Sequence, residues 1–405
     1  MNTKRIYLYC EPEACRRRSL DATKLSEYFS KNNYETVKNP KTADIIFFIT
    51  CSGVKETTDI CLDKIKNFKK YDAELIVGGC LPVVDKHKLD DIFKGRSIGT
   101  KDLNHIDDLF PENKIKFKDI NDANILYDNK LKSKVLKNKF NKIQNFVLTH
   151  IFGKYSYINF SSNRSQMHIR ISWGCPNNCS YCTITKSTGS FYSKPFEKCI
   201  NEFKNGLKNN YHDFVITADN TGAYGIDIQK NFPELLDELT NIDGEYDLFV
   251  RGITPSWLVK YIDDFEKILK KEKIKIIEIP IQSASERILR LMLRCPDTEK
   301  IKVSFLKLKS YYPSLKTFTH LIVGFPSENM EDIKKTLTFI KDADIDAGQV
   351  FPFSTKEGTK AEKIEPKVSQ NEILSRMKFI KKNLKKQGYR VINLPKINAL
   401  LFDKK

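Results

Sequence analysis

The stretch Gln166–Cys182, QMHIRISWGCPNNCSYC, decides how the rest of the chain is read. Its first half is an apolar, strand-like run, and its second half is a loop carrying Cys175, Cys179 and Cys182 at spacings of four and three residues. Five further strand-like runs follow: DFVITADN, YDLFVRGI, IKIIEIPIQSAS, KTFTHLIVGFP and DAGQVFPFS. Stretches of helical spacing lie between them, among them PFEKCINEFKNGLK, PELLDELTNI, SWLVKYIDDFEKILKK and NMEDIKKTLTFIKDA. Six β/α units over residues 166–365 predict an open or partial (β/α)6 barrel, with its chemistry at the carboxyl ends of the strands. The cysteine loop follows the first of these strands directly.

The chain has 405 residues and ten cysteines. No window approaches the roughly 18 apolar residues of a membrane span, and the start MNTKRIYLYC lacks the apolar core of a signal peptide. The expectation is a cytoplasmic protein with no membrane partner, in a compartment that keeps thiols reduced, so clustered cysteines point to metal ligation or catalysis. A structural zinc site takes four ligands, usually as two separated pairs, and no nearby His completes such a set here. Three thiolates on one short loop suit a cubane iron–sulfur cluster with one iron left open; a zinc site and an inert loop are the alternatives.

Residues 1–100 repeat the alternation on a smaller scale. RIYLYC, ADIIFFITC and AELIVGGC are strand-like, SLDATKLSEYFSKN and KETTDICLDKIKNF helical, and the order implies a parallel sheet with covering helices. Cys51 and Cys80 stand at the ends of two of the strands and Cys15 in the loop after the first, where residues distant in sequence converge. Cys10, Cys61, Cys199 and Cys295 are expected to be packed or structural thiols. Residues 101–165 have little pattern and are expected to be a linker with some helix; 366–405 reads as one basic helix and a short ending. The net charge of +18, from 69 Lys and Arg against 51 Asp and Glu, favours polyanionic partners such as RNA, with a general bias toward lysine as the alternative.

C-x-x-x-C-x-aromatic-C after the first strand of such a barrel resembles the radical S-adenosylmethionine (SAM) superfamily. The resemblance implies that Cys175, Cys179 and Cys182 hold a [4Fe–4S] cluster whose open iron is chelated by SAM, that the cluster's electron cleaves SAM to a 5′-deoxyadenosyl radical, and that Tyr181 packs near the adenine or in the core. Cys15 with Asp21 six residues on, TC at Cys51 and GGCLP at Cys80 resemble the amino-terminal domain of methylthiotransferases. ADNTGAYGID (218–227), RGITP (251–255), IPIQSAS (279–285), IVGFPSE (322–328) and STKEGTKAEKI (354–364) resemble that family's successive barrel segments, with wording nearest to the branch that acts on threonylcarbamoyl-adenosine in tRNA. By this resemblance Cys15, Cys51 and Cys80 hold a second, auxiliary [4Fe–4S] cluster that carries the sulfur. One SAM methylates it, a second provides the radical, and –SCH3 replaces H on an unactivated carbon. A reducing donor such as flavodoxin or ferredoxin is implied. Asp219, Asn220 and Tyr224 become candidates to contact SAM, and Arg251 to take its carboxylate; loop or helix-cap roles are the alternative.

The chain departs from the family's pattern at several places. Arg16–Arg18 stand where a QMN-like run is expected, Ile49 where Asn is usual, Thr188 in place of the Arg of an RG pair, and Ser327 in place of Gly after GFP. His320 stands where an acidic residue is expected before the IVGFP strand end and is the candidate catalytic side chain. The sequence stops before the TRAM domain with which tRNA members usually end, so that domain is expected to be absent. The substrate expectation is therefore a modified adenosine of tRNA, with a peptide or small molecule as the alternative. DKHKLD (85–90) resembles a cobalamin signature except for Asp90, which leaves a cobalamin-dependent methylase and a non-catalytic cluster sensor as lesser readings.

Overall fold

The computed structural model describes residues 3–11, 16–129 and 165–404. It divides into two compact units, Met1–Leu136 with Thr183–Gly189, and Lys137–Cys182 with Ser190–Lys405. No described helix is long and apolar enough to cross a membrane.

The first unit is a five-stranded parallel sheet in the order β2-β1-β3-β4-β5, with β1 Arg5–Cys10, β2 Glu35–Thr36, β3 Ile45–Thr50, β4 Glu74–Gly79 and β5 Ser97–Gly99. Central β3, IIFFIT, is buried at every position because helices cover both faces, which is why it reads as an unbroken apolar run. Helix Arg16–Lys31 packs Leu25, Tyr28 and Phe29 into one core with Ile6, Leu8 and Phe47. Helix Lys55–Phe68 packs Cys61 and Ile65 into the other with Ile46, Phe48 and Val77.

The expected linker is corrected here: residues 101–129 belong to this unit. Phe110, Phe117, Ile120 and Tyr127 join the first core, and Asn129 bonds both the N–H and the carbonyl of Cys10 at 3.0 and 2.9 Å. Two short 3-10 turns, Leu103–Asp108 and Phe117–Asp119, replace longer helices, so isolated apolar residues are buried without a periodic pattern. The remainder of the expected linker, 130–164, lies outside the described residues.

The second unit carries the six predicted parallel strands side by side: β6 Met167–Arg170, then β9 Asp213–Thr217, β10 Asp247–Val250, β11 Ile274–Glu278, β12 Lys316–Val323 and β13 Ala347–Pro352. Between β6 and β9, β7 Ser172–Trp173 and β8 Tyr192–Ser193 form a separate antiparallel ribbon. Alternate strand residues serve two layers: Phe214, Ile216, Leu248 and Ile277 join the large helix-facing core, and Val215, Phe249, Ile276 and Phe318 the opposite face. The helices are capped as their sequences suggest. Asn329 accepts from the Glu331 and Asp332 N–H groups ahead of Met330–Asp342, and Ser369 from Glu372 ahead of Gln370–Lys386. After this basic helix the expected short ending is a hairpin, β14 Tyr389–Leu394 and β15 Ala399–Lys404, whose second strand pairs antiparallel with β13 and extends the sheet.

Candidate active site

At the carboxyl end of the first sheet, β3 and β4 pair in register Thr50↔Gly79, so Cys51 and Cys80, each one residue further, emerge side by side. The Cys80 N–H donates to the Thr50 carbonyl at 3.1 Å, and Thr50 Oγ1 donates to the Gly78 carbonyl at 2.6 Å while accepting from the Leu81 N–H. Gly79 has φ +101, and a Cβ there would lie 2.3 Å from the Thr50 carbonyl oxygen, so the GG before Cys80 is a steric requirement. Around Cys80, buried Arg18 donates to Sγ at 3.9 Å while ion-paired with Asp21 at 3.1 Å, and Thr100 Oγ1 lies 3.8 Å away. Cys15 lies outside the described residues. Cys10 and Cys61 are buried as expected, and burial pushes the Cys61 thiol up to about 12, an inert group. Asp85 is buried and accepts from Ser52 and Thr58, which makes it a structural anchor of this loop.

In the second unit the loop 174–182 leaves β7 through Gly174, whose φ is +72 and whose N–H donates to Asp219 Oδ2 at 3.0 Å. Next in the chain, Asn220 is fully buried and donates from Nδ2 to Cys175 Sγ at 3.6 Å; its Oδ1, like the hydroxyl of Thr221, is buried without a hydrogen-bond partner. Burial pushes the Cys175 thiol up, against the bonds from Asn177 and Asn220. Ser180 ties the loop down, its N–H donating to the Met292 carbonyl at 3.0 Å and its hydroxyl to the Leu291 carbonyl at 2.7 Å. Arg294 donates to Cys179 Sγ at 3.8 Å and to the Tyr181 hydroxyl at 3.3 Å. Cys182 is exposed, its N–H bonded to the Cys179 carbonyl at 3.1 Å. Among the described residues no three His, Cys, Asp or Glu side chains stand in metal-ligating geometry.

The other expected site residues fall in different places. Tyr181 packs edge-on to Phe325, 6.4 Å between ring centres, in a small apolar cluster with Ile288, Met292 and Ala361. Tyr224 is a core residue, fully buried, with its hydroxyl donating to the Lys194 carbonyl at 3.0 Å. Arg251 forks onto Glu278 at 2.9 and 2.8 Å across the ends of β10 and β11. His320 lies on β12 between the rings of Phe318 and Phe351, 5.4 and 5.5 Å away. Ser327, standing where the family has Gly, has φ +68, the left-handed region that glycine enters freely. Cys295, expected to be structural, is half-buried and lines a cleft of about 270 Å³ with Asn177, Asn178, Thr254, Ser256 and Arg294. Sequence reading missed Arg294 and Glu278: Glu278 lies inside a predicted strand run and Arg294 follows a short helix, Glu286–Leu291, that no pattern singled out.

Comparison with known proteins agrees with this layout. Residues 169–340 match the radical SAM superfamily, and residues 8–98 match the uncharacterized protein family UPF0004. A ribosomal protein uS12 methylthiotransferase of Clostridium botulinum is 30% identical over 351 residues, covering 84% of this chain and 73% of that protein. The chain belongs to the radical SAM methylthiotransferase family. A probable threonylcarbamoyladenosine tRNA methylthiotransferase of Pyrococcus horikoshii is 26% identical over 359 residues, 88% of this chain and 79% of that protein. Among solved structures the radical SAM methyltransferase TsrM of Kitasatospora setae, with cobalamin and a [4Fe–4S] cluster bound, superposes with a TM-score of 0.60 at 10% identity, over 89% of this chain and 77% of that one; at that identity the likeness is one of fold.

This methylthiotransferase is an enzyme that uses SAM and [4Fe–4S] clusters, two in its family. The residues present fit such groups. The loop offers three thiols, two of which receive N–H donors on sulfur, and the buried, partnerless Oδ1 of Asn220 leaves an acceptor beside Cys175.

Proposed function

We propose that Cys175, Cys179 and Cys182 hold the radical SAM cluster, that Cys51 and Cys80 with Cys15 hold the auxiliary cluster, and that the enzyme replaces C–H by C–SCH3 on a modified adenosine of tRNA. The observation that carries the cluster assignment is the pair of N–H donors, from Asn220 and Arg294, on the sulfurs of Cys175 and Cys179. When bound, cluster and SAM supply a 5′-deoxyadenosyl radical that abstracts the substrate hydrogen. The chain's part is to hold and shield. Asp219 fixes the turn at Gly174, Ser180 anchors the loop, Asn220 orients Cys175 and keeps its acceptor oxygen for SAM, and the Arg251–Glu278 pair sets the charge at the next strand ends. His320, lying between two aromatic rings, is the candidate to bond or relay a proton to a polar substrate.

The tRNA reading is supported by the net charge of +18 and by tRNA-modifying relatives. A protein substrate is the second reading, favoured by relatives at 29 to 30% identity that are named for ribosomal protein uS12. One reconstitution tests both levels. Anaerobically reconstituted enzyme is expected to hold about eight irons, and about four after Cys175, Cys179 and Cys182 are replaced by Ala. Incubated with SAM, dithionite and a sulfide source, it is expected to add the mass of SCH3 in place of H to an adenosine of tRNA. If tRNA stays unmodified while a uS12 peptide gains that mass, the protein reading replaces the tRNA one.

A further inference from the structure

We infer that Arg294 is the fixed countercharge of the radical SAM cluster, a positioning residue that eases entry of the reducing electron by holding its guanidinium against the sulfur of Cys179. The inference rests on the reading of Cys179 as a cluster ligand.

The turn after helix Glu286–Leu291 builds this placement. Leu293 takes a left-handed φ of +54, and the Arg294 N–H donates back to the Leu289 carbonyl at 2.9 Å. The same turn offers the Met292 and Leu291 carbonyls that hold Ser180, so cysteine loop and arginine share one support. The guanidinium is divided: Nη1 donates to Cys179 Sγ at 3.8 Å and to the Tyr181 hydroxyl at 3.3 Å, while Nη2 donates to the Pro280 carbonyl beyond β11. None of these acceptors is a carboxylate. Three other sequestered arginines are matched by acids: Arg18 by Asp21, Arg251 by Glu278 and Arg376 by Glu328. A half-buried guanidinium with only a thiol, a phenol and a carbonyl is an expensive arrangement unless one of them is an anion. A thiolate ligated to iron is that anion, and Cys179 is the acceptor able to become one.

The consequence follows from charge. On taking one electron from a reduced donor, a cluster held by Cys179 would become more negative by one unit, and a nearby cation would stabilise that state more than the oxidised one. The cluster potential is therefore raised by Arg294 and falls when the charge is removed. Asn220 on Cys175 is a neutral donor, so the two sulfurs are not equivalent in this respect.

The test is an anaerobic redox titration, followed by electron paramagnetic resonance, of the full chain carrying Cys51→Ala and Cys80→Ala so that one cluster signal remains. Arg294→Gln is expected to lower the reduced-to-oxidised ratio at a given potential at least tenfold, a midpoint shift of about 59 mV or more for one electron. Arg294→Lys, which keeps the charge, is expected to recover most of the loss. Four bound irons with an unmoved midpoint in Arg294→Gln would overturn the inference while leaving the cluster reading intact. Absence of any cluster signal in the parent defeats the cluster reading itself. Should Arg294→Gln not retain iron, the lysine variant decides: a midpoint near the parent's supports the charge role, and a tenfold drop with the charge retained overturns it.

Discussion

Replacing Gly79 by Ala tests whether the close pairing of β3 and β4 is what brings Cys51 and Cys80 together. Two effects add. Backbone at φ +101 is strained for any residue with a Cβ, and the new methyl would stand 2.3 Å from the Thr50 carbonyl oxygen and 2.7 Å from its nitrogen. Neither atom is a flexible side-chain end, so one strand must move away from the other. The conformational strain is worth about 1–3 kcal/mol and the overpacking a similar amount, so a total of about 2–6 kcal/mol is expected against a typical stability of about 5–15 kcal/mol. The strand that moves carries the Cys80 N–H bond to the Thr50 carbonyl, so iron binding at this end is expected to fall with stability. Gly53→Ala is the matched control: its Cβ would meet Cys51 Sγ at an ordinary 3.6 Å, and a change within about 0.5 kcal/mol is expected. Urea midpoints at constant slope and iron content after reconstitution are the measurements. Equal midpoints for the two variants would refute the steric reasoning, and unchanged iron content in a destabilised Gly79→Ala would refute the link to the cysteines.

Two further outcomes are expected. Burial raises the Glu328 carboxyl to about 7 from its ordinary 4.5, against the Gly324 N–H and Arg376, so the folded state binds the extra proton between those values. Its contribution falls as pH rises through that window, by about 3 kcal/mol in all; urea midpoints between about pH 5 and pH 7.5 should lose most of this slope in Glu328→Gln, keeping the part of the same sign from Asp403, which burial raises to about 6. Tyr224→Phe removes the bond to the Lys194 carbonyl and should cost about 1 kcal/mol of stability, read by thermal melting, with no change in SAM affinity by calorimetry.

Much of the fold was legible because parallel strands covered on both faces leave continuous apolar runs, and all nine runs singled out became strands. The two stretches that misled had no such imprint. Residues 101–129 bury Phe110, Phe117, Ile120 and Tyr127 one at a time among Lys, Asn and Asp, and β14 and β15, six residues each after a basic helix, are too short to stand out. At the site, the spacing of Cys175, Cys179 and Cys182 was legible because the three lie within one short loop. Asn220 reaches Cys175, whereas the ring of Tyr224, four residues on, turns into the core, a difference that the sequence pattern does not record.

The sequence by itself determined that cysteines follow strands in both units and which family the chain belongs to, since these depend on residue type and local spacing. Tertiary structure alone decided what surrounds each sulfur. Asn220 reaches Cys175 across 45 positions, Arg294 reaches Cys179 across 115, and Arg18 reaches Cys80 across 62. Contacts of that span arise from strand register and the turn after a helix, and no local pattern records them.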